Sequence, residues 1–359
     1  MAADTVGGGS TQNETVERFL DLIEGDRFAD AIDLAVDRIQ QGFRVTEIVQ
    51  QLLAPAQLAA GQRWHDGRYT VAQEHIVSGV VDDILGLLAI HAPRPASRQT
   101  VALVCAEGEW HTTPARMAAL CLRDEGWRVQ FLGGSLPADH LATSLRQIAP
   151  EVVAVSCTLP LALTGVPPLV EASHRAGAPV ITGGIGFGGD GLRSRRLGAD
   201  GHAADPAEAA ATMTAWLDRP PEPFATFAST TTDPERVTLA EQRPDLVVAA
   251  YARLEAELPA MADFDERQRH HTRADLDYIL RFLDTTLLVD DPRIFTDFLT
   301  WLRALLSARG LPPAVLRRSL EALQTALPPG LDRSSTLLGA GADQVDSDPG
   351  PGTDPALGG

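Results

Sequence analysis

Between residues 99 and 217 the chain alternates short apolar runs with helix-patterned segments of roughly ten to seventeen residues, which leaves few folds open to it. The runs are Val101–Ala106, Arg128–Leu132, Val152–Ser156, Val180–Thr182 and a short one near Asp200–His202. Strands without a polar face must be covered on both sides, and the intervening helices are long enough to do so. A parallel, doubly wound sheet with right-handed crossovers is predicted.

Two all-helical regions flank this segment, so the fold class is α/β plus all-α. In residues 14–92, Val16, Phe19, Leu20 and Ile23, then Ala31, Ile32, Leu34 and Ala35, and then Ile48, Leu52, Leu53 and Ala56, recur at helical spacing. A last helix from about Val71 to Ile90 completes a small bundle, and Pro93-Arg94-Pro95 closes it. Residues 218–233, with Pro220, Pro221, Pro223 and Ser229-Thr230-Thr231-Thr232, read as a linker. A helical region over 234–328 follows, strongest at Leu239–Leu258, Arg267–Leu288 and Ile294–Arg309, with Pro312-Pro313 opening a last helix. Residues 1–13 and 329–359 are expected to be disordered, the second from its Gly, Asp, Ser and Pro content.

The net charge of −18, with only 30 Lys plus Arg, argues against direct nucleic-acid binding. No apolar run reaches the length of a membrane span, and no signal peptide opens the chain. Cys105, Cys121 and Cys157 have no metal-ligand spacing and read as free buried thiols of a cytoplasmic protein.

The chemistry concentrates at the carboxyl ends of the expected strands, where an open α/β sheet binds ligands. After the first strand comes Glu109-Trp110-His111-Thr112-Thr113-Pro114: an imidazole two residues after a carboxylate, which can hold one ring nitrogen while the other meets a metal. Gly133-Gly134-Ser135 follows the second strand, Ser156-Cys157-Thr158 ends the third, and Gly183-Gly184 ends the fourth.

These elements in this order resemble the Asp-x-His-x-x-Gly signature and companion motifs of cobalamin-binding domains. The resemblance implies that His111 is the lower ligand of cobalt and that Glu109 orients it. Gly134, Ser156, Thr158, Gly183 and Gly184 would then face the nucleotide tail. The sequence departs from the family at Glu109, one methylene longer than aspartate, and at Pro114, which stands where the family has glycine.

In the bundle before it, Trp64-His65 is followed by Glu74-His75, with Trp and Glu ten residues apart. This resembles the cap of light-sensing adenosylcobalamin transcription factors. It implies that Trp64 and Glu74 cover the adenosyl group, that His75 flanks the site, and that His65 reaches cobalt after light. Only residues 1–13 precede this cap, so the chain is not expected to be such a repressor itself.

In the C-terminal region Arg267, Arg269, His270, His271, Arg273, Tyr278, Arg281, Trp301 and Arg303 stand close in sequence. His270, Ala274 and Asp277 share one helix stripe, and His271 shares another with Asp275 and Tyr278. Arginines suit tetrapyrrole propionates and His or Tyr the pyrrole nitrogens, while a solvated basic helix face is the alternative. A cobalamin domain with such a cap, followed by a globin-like helical domain containing Asp-Leu-Asp-Tyr, resembles the photocobilins. The resemblance implies biliverdin beside cobalamin, bound through His270, His271, Arg273 and Tyr278. The region has no cysteine, so a bilin would be non-covalent; haem is the competing tetrapyrrole.

The expected function is therefore a cobalamin-dependent photoreceptor, not an enzyme, that signals by self-association or through a separate output protein. A corrinoid methyl carrier of a methyltransferase system is the alternative.

Overall fold

The computed structural model describes residues 7–92, 99–222 and 233–347. These fall into two compact units that part between residues 222 and 233. The residues expected to form most of the linker, 223–232, lie outside the described residues, as do 1–6 and 348–359.

The first unit opens with the helical cap: α1 (Gly7–Glu24), α2 (Phe28–Gln40), α3 (Val45–Ile48), a π-turn at Val49–Leu53, α4 (Ala54–His65) and α5 (Val71–His91). The π-turn sits just before Pro55, which lacks an N–H for the preceding turn and whose ring crowds the carbonyl four residues back, so the helix widens locally. Thr70 caps α5 by accepting from the Gln73 amide, while the Gln73 side chain returns to the Thr70 amide. Phe19, Leu20, Ile48, Leu52, Val81, Ile84 and Leu88 fill the cap interior. A buried Arg63 ties α4 to α1 through Glu17 at 2.5 Å and Glu24 at 2.6 Å, and its Nη1 also donates to Tyr69 Oη.

The sheet is wholly parallel, with strand order β2-β1-β3-β4-β5. Its strands are β1 (Thr100–Cys105), β2 (Arg128–Phe131), β3 (Val152–Ser156), β4 (Val180–Gly183) and β5 (Gly201–Ala203). The helices are α6 (Thr112–Asp124), α7 (Ala138–Ile148), α8 (Val166–Arg175), α9 (Leu192–Arg196) and α10 (Pro206–Asp218). The doubly wound sheet expected from sequence is present, each strand within about a residue of its predicted span. On one face Leu103, Ala154, Ile181 and Ala203 pack against Ala115 and Ala119 of α6 and Met213 of α10.

Helix α6 belongs to two cores at once. Its Ala115, Ala119 and Leu122 enter the sheet core, and its Met117, Leu120 and Cys121 enter the cap core. Polar contacts reinforce the junction: Asp82 of α5 accepts from Thr113 at 3.0 Å and pairs with Arg116 at 2.6 Å, and Asp124 accepts from the Thr46 amide at 3.2 Å. All three cysteines are free and buried, and burial pushes the Cys121 thiol up to about 11.

The second unit is all helical: α11 (Pro234–Glu257), α12 (Glu266–Val289), α13 (Arg293–Ala308), α14 (Pro313–Ala326) and α15 (Asp332–Ser347). Two expectations of disorder need correction. Residues 7–13, read as part of a disordered N-terminus, form the first turns of α1, because the amphipathic Val16–Ile23 stretch propagates its helix backward. Of the supposed tail, residues 332–347 form α15, with Leu338, Ala342 and Val345 buried beside Leu331. Its glycines are contact surfaces: a Cβ on Gly341 would lie 2.5 Å from Leu299 and 3.2 Å from Phe295. Gly-rich composition here marks close helix packing. No described helix is long and apolar enough to cross a membrane.

Ending the chain at Pro329 would uncover the surfaces that Leu331, Leu338 and Val345 seal. Each such side chain contributes about 1.5–3 kcal/mol, so a loss of roughly 5 kcal/mol is expected for the second unit. Calorimetry should show its melting transition shifted down; an unchanged transition would mean α15 is dispensable.

Candidate cobalamin site

The Glu109 carboxylate organises the carboxyl edge of the sheet. Its side chain is 1% exposed. Oε1 accepts from the His111 amide at 2.8 Å and from His111 Nδ1 at 2.7 Å. Oε2 accepts from the Thr158 and Leu159 amides at 2.7 and 2.8 Å. Burying an ionised carboxylate costs several kcal/mol, but four charge-assisted hydrogen bonds at about 1.5–3 kcal/mol each outweigh it. Burial thus opposes the charge, yet the donors from His111, Leu159 and Thr158 hold the carboxyl below its usual range.

The extra methylene of Glu109 matters here. It lets one carboxylate join the loop after β1 to the loop after β3 while still gripping His111. Pro114 fits inside the first turn of α6, where its missing N–H costs nothing. His111 is the residue that caps this helix. With Nδ1 donating to Glu109, Nε2 carries the ring's remaining lone pair, the arrangement of a pre-oriented metal ligand. The Glu109 hydrogen bond raises the His111 pKa against burial, and the Glu74 carboxylate of the cap adds to the rise.

The other expected residues fall around this pair. Gly134 lets the β1 loop come close: a Cβ there would meet Thr112 at 2.9 Å and the Glu109 carbonyl at 3.2 Å. Ser156 and Thr158 are buried at the end of β3, and Ser156 pairs in register with Gly183. Gly184 has φ +102° and approaches the Cys157 carbonyl so closely that a Cβ would lie 2.3 Å from it. That glycine serves the fold's own backbone contact as well as any ligand. Trp110, 74% exposed, and Ile185, 39% exposed, present apolar surface at this edge, next to His111 and Gly184 respectively.

On the cap, Trp64 is half-buried against the bundle core and His65 lies near Asp66 at 3.4 Å. Glu74 is held by Ser78 at 2.7 Å and has His75, largely exposed, 3.7 Å away. Sequence reading missed Ser78, Gln57, Asp82, Thr113 and Arg116 as partners. Glu74, Ser78 and Asp82 stand four residues apart on α5, the spacing of one helix face, and only that period marked them.

In the second unit the expected tetrapyrrole residues have different surroundings. His270 and His271 are exposed, with ring centroids 6.0 Å apart. Arg273 lies over the Tyr251 ring at 4.3 Å. Tyr278 packs edge-on against Phe282 and Phe298, whose rings stack at 3.8 Å.

Comparison with known proteins agrees with the first unit. Residues 99–211 match the B12 binding domain family, and residues 17–89 match a second family with the same description. Both matches lie within the first unit. The HTH-type transcriptional repressor CarH of Myxococcus xanthus is 36% identical over 121 residues, 34% of this chain and 40% of that protein. The repressor CarA of the same organism is 33% identical over 122 residues, 33% of this chain and 42% of that protein. The chain thus spans about two fifths of the length of these repressors. A monomethylamine corrinoid protein of Methanosarcina barkeri is 18% identical, with a TM-score of 0.48 over 56% of this chain and 97% of its own. A cobalamin-binding protein of Desulfitobacterium hafniense is 22% identical, with a TM-score of 0.31 over 57% of this chain and 98% of its own.

The Glu109–His111 couple gives the apoprotein a distinctive pH profile. Glu109, with its pKa depressed, stabilises the fold above about pH 4.3, and that stabilisation fades as pH falls through the depressed value. His111, with its pKa raised, stabilises it below about pH 6.5, and that contribution fades as pH rises through the raised value. Glu109→Gln is expected to cost about 1–3 kcal/mol near pH 6, because a carboxamide cannot accept from all four donors. It should also flatten the alkaline side of the profile. Urea midpoints across pH check both; a parallel profile in the variant would refute the coupling.

Proposed function

We propose that this chain is a cobalamin-dependent photoreceptor. The observation that carries the reading is the Glu109–His111 couple at the sheet edge, with Glu74 of the cap acting on the same imidazole. The residues fit the cofactor: an imidazole oriented through Nδ1 so that Nε2 keeps its lone pair, exposed apolar surface at Trp110 and Ile185, and the Glu74 carboxylate on the cap helix α5.

His111 Nε2 would hold cobalt while Glu109 fixes the ring. Ser156, Thr158, Gly183 and Gly184 would receive the nucleotide tail along the strand ends, with Gly134 keeping the β1 loop close. Trp64 and Glu74 would enclose the adenosyl group, and His75 would flank it. When bound, adenosylcobalamin supplies a cobalt–carbon bond that visible light breaks homolytically. Trp64 and Glu74 would gain packing area and a polar partner only while the adenosyl group is present, the differential contact that a switch requires. Asp82, gripping Thr113 and Arg116, would carry the cap's movement to α6, the helix capped by His111. His65, beside Trp64 on α4, is the residue that would hold cobalt once the adenosyl group is gone.

No turnover is part of this reading. The output is self-association or a separate protein partner in the cytoplasm. The second unit would hold biliverdin non-covalently near His270, His271, Arg273 and Tyr278. What supports this is the cationic and aromatic set on α12 and the absence of cysteine from that part of the sequence.

Reconstitution with adenosylcobalamin in darkness, followed by green light, tests the photoreceptor. A light-dependent change in the visible spectrum is expected. An unchanged spectrum would overturn the photoreceptor reading, and methylcobalamin formed by a partner methyltransferase would favour a corrinoid methyl carrier. His111→Ala should weaken cobalamin binding about tenfold or more, from loss of a metal ligand whose second-shell partners alone carry about 10–100-fold; equal affinity contradicts the ligand assignment. Biliverdin added to the full chain should give a red-absorbing band that comigrates on gel filtration, and its failure to comigrate would remove the bilin alone.

A further inference from the structure

The geometry points to Gln57 and Ser78 as positioning residues that aim Glu74 at the upper ligand and so set its selectivity; this rests on the cobalamin reading above. Gln57 lies on α4 and Ser78 on α5, one helical turn after Glu74. Gln57 Nε2 stands 3.0 Å from Ser78 Oγ, and Ser78 Oγ stands 2.7 Å from Glu74 Oε1. The second approach of Ser78 Oγ, to Gln57 Oε1, is 3.4 Å.

The direction of this chain follows from its ends. An ionised carboxylate only accepts, so the single Ser78 hydrogen goes to Glu74. The Ser78 oxygen is then an acceptor, and only the amide side of Gln57 can supply the donor. Donation into Ser78 polarises its hydroxyl and strengthens the bond onward to the charged carboxylate. The three groups are half-buried, where such bonds are screened less than at the surface.

Anchoring matters because a glutamate on an exposed helical turn otherwise samples many rotamers. Ser78 fixes Oε1 and leaves Oε2 with acceptor capacity. Glu74 lies on α5, the helix whose Asp82 grips Thr113 and Arg116 of α6 just past His111, and in the cobalamin reading it is the cap group offered to the upper ligand. A fixed acceptor there selects an upper ligand that brings hydroxyl or N–H donors, such as the sugar of a nucleoside. It gives nothing to a methyl group. Selectivity of this kind comes from a polar group that is satisfied by one ligand and left unpaired by the other. Neither Gln57 nor Ser78 needs to touch the ligand; both act through Glu74.

The test is a dark titration of the full-length apoprotein with adenosylcobalamin and, separately, with methylcobalamin, followed by tryptophan fluorescence. The wild type is expected to prefer adenosylcobalamin. Ser78→Ala should lower adenosylcobalamin affinity about tenfold while methylcobalamin affinity stays within twofold. Gln57→Leu should act in the same direction but more weakly, and Ser78→Thr, which keeps the hydroxyl, should restore the preference. An unchanged ratio of affinities in Ser78→Ala, or equal loss of both ligands, would overturn the positioning role. A wild type that binds cobalamin without preference would overturn it too, and would fault the proposed cap function rather than the relay alone.

Discussion

The buried Glu109 carboxylate is the interaction on which the rest of the first unit depends. It reaches the loops after two strands and the helix start between them, and its charge is tolerable only because all four donors converge on it. The same bonds that satisfy Glu109 fix the tautomer and direction of His111. Stability and imidazole orientation are thus one piece of chemistry, and neither can be altered separately.

From that point outward the fold is a pair of cores sharing one helix. Helix α6 starts at His111, packs the sheet with one face and the cap with the other, and is held to α5 by Asp82. Glu74, Ser78 and Asp82 follow one another at four-residue spacing along α5, so the anchored Glu74 carboxylate and the group gripping α6 are rigidly joined. A change in what lies between the cap and the sheet edge has a short route through packed helices.

Much of this was legible in the sequence because it depends on local pattern. Apolar strands and helical periods placed the sheet and cap, and the spacing of Glu109 and His111 was enough to foresee their hydrogen bond. The partners that position those residues were not legible. Gln57 and Ser78 are twenty-one residues apart and Asp82 and Thr113 thirty-one, and polar residues at such separations carry no mark of their meeting. Composition misled at α15, where Gly339 and Gly341 signal close packing and not a loose tail. The second unit shows the limit of clustering along the chain. His270, His271, Arg273 and Tyr278 are neighbours in sequence, yet a helix turns them to different faces, toward solvent, Tyr251 or the aromatic stack.

The central claim is that His111 Nε2, aimed by Glu109, is the protein's nitrogen ligand to cobalt. The most direct measurement is the electron paramagnetic resonance spectrum of the cobalt(II) form of the bound cofactor, taken on His65→Ala protein with natural or nitrogen-15 histidine. Each cobalt line is expected to carry a triplet from one axial nitrogen, changing to a doublet on labelling. A triplet that survives labelling would mean that the cofactor's own base still holds cobalt, and would contradict the account.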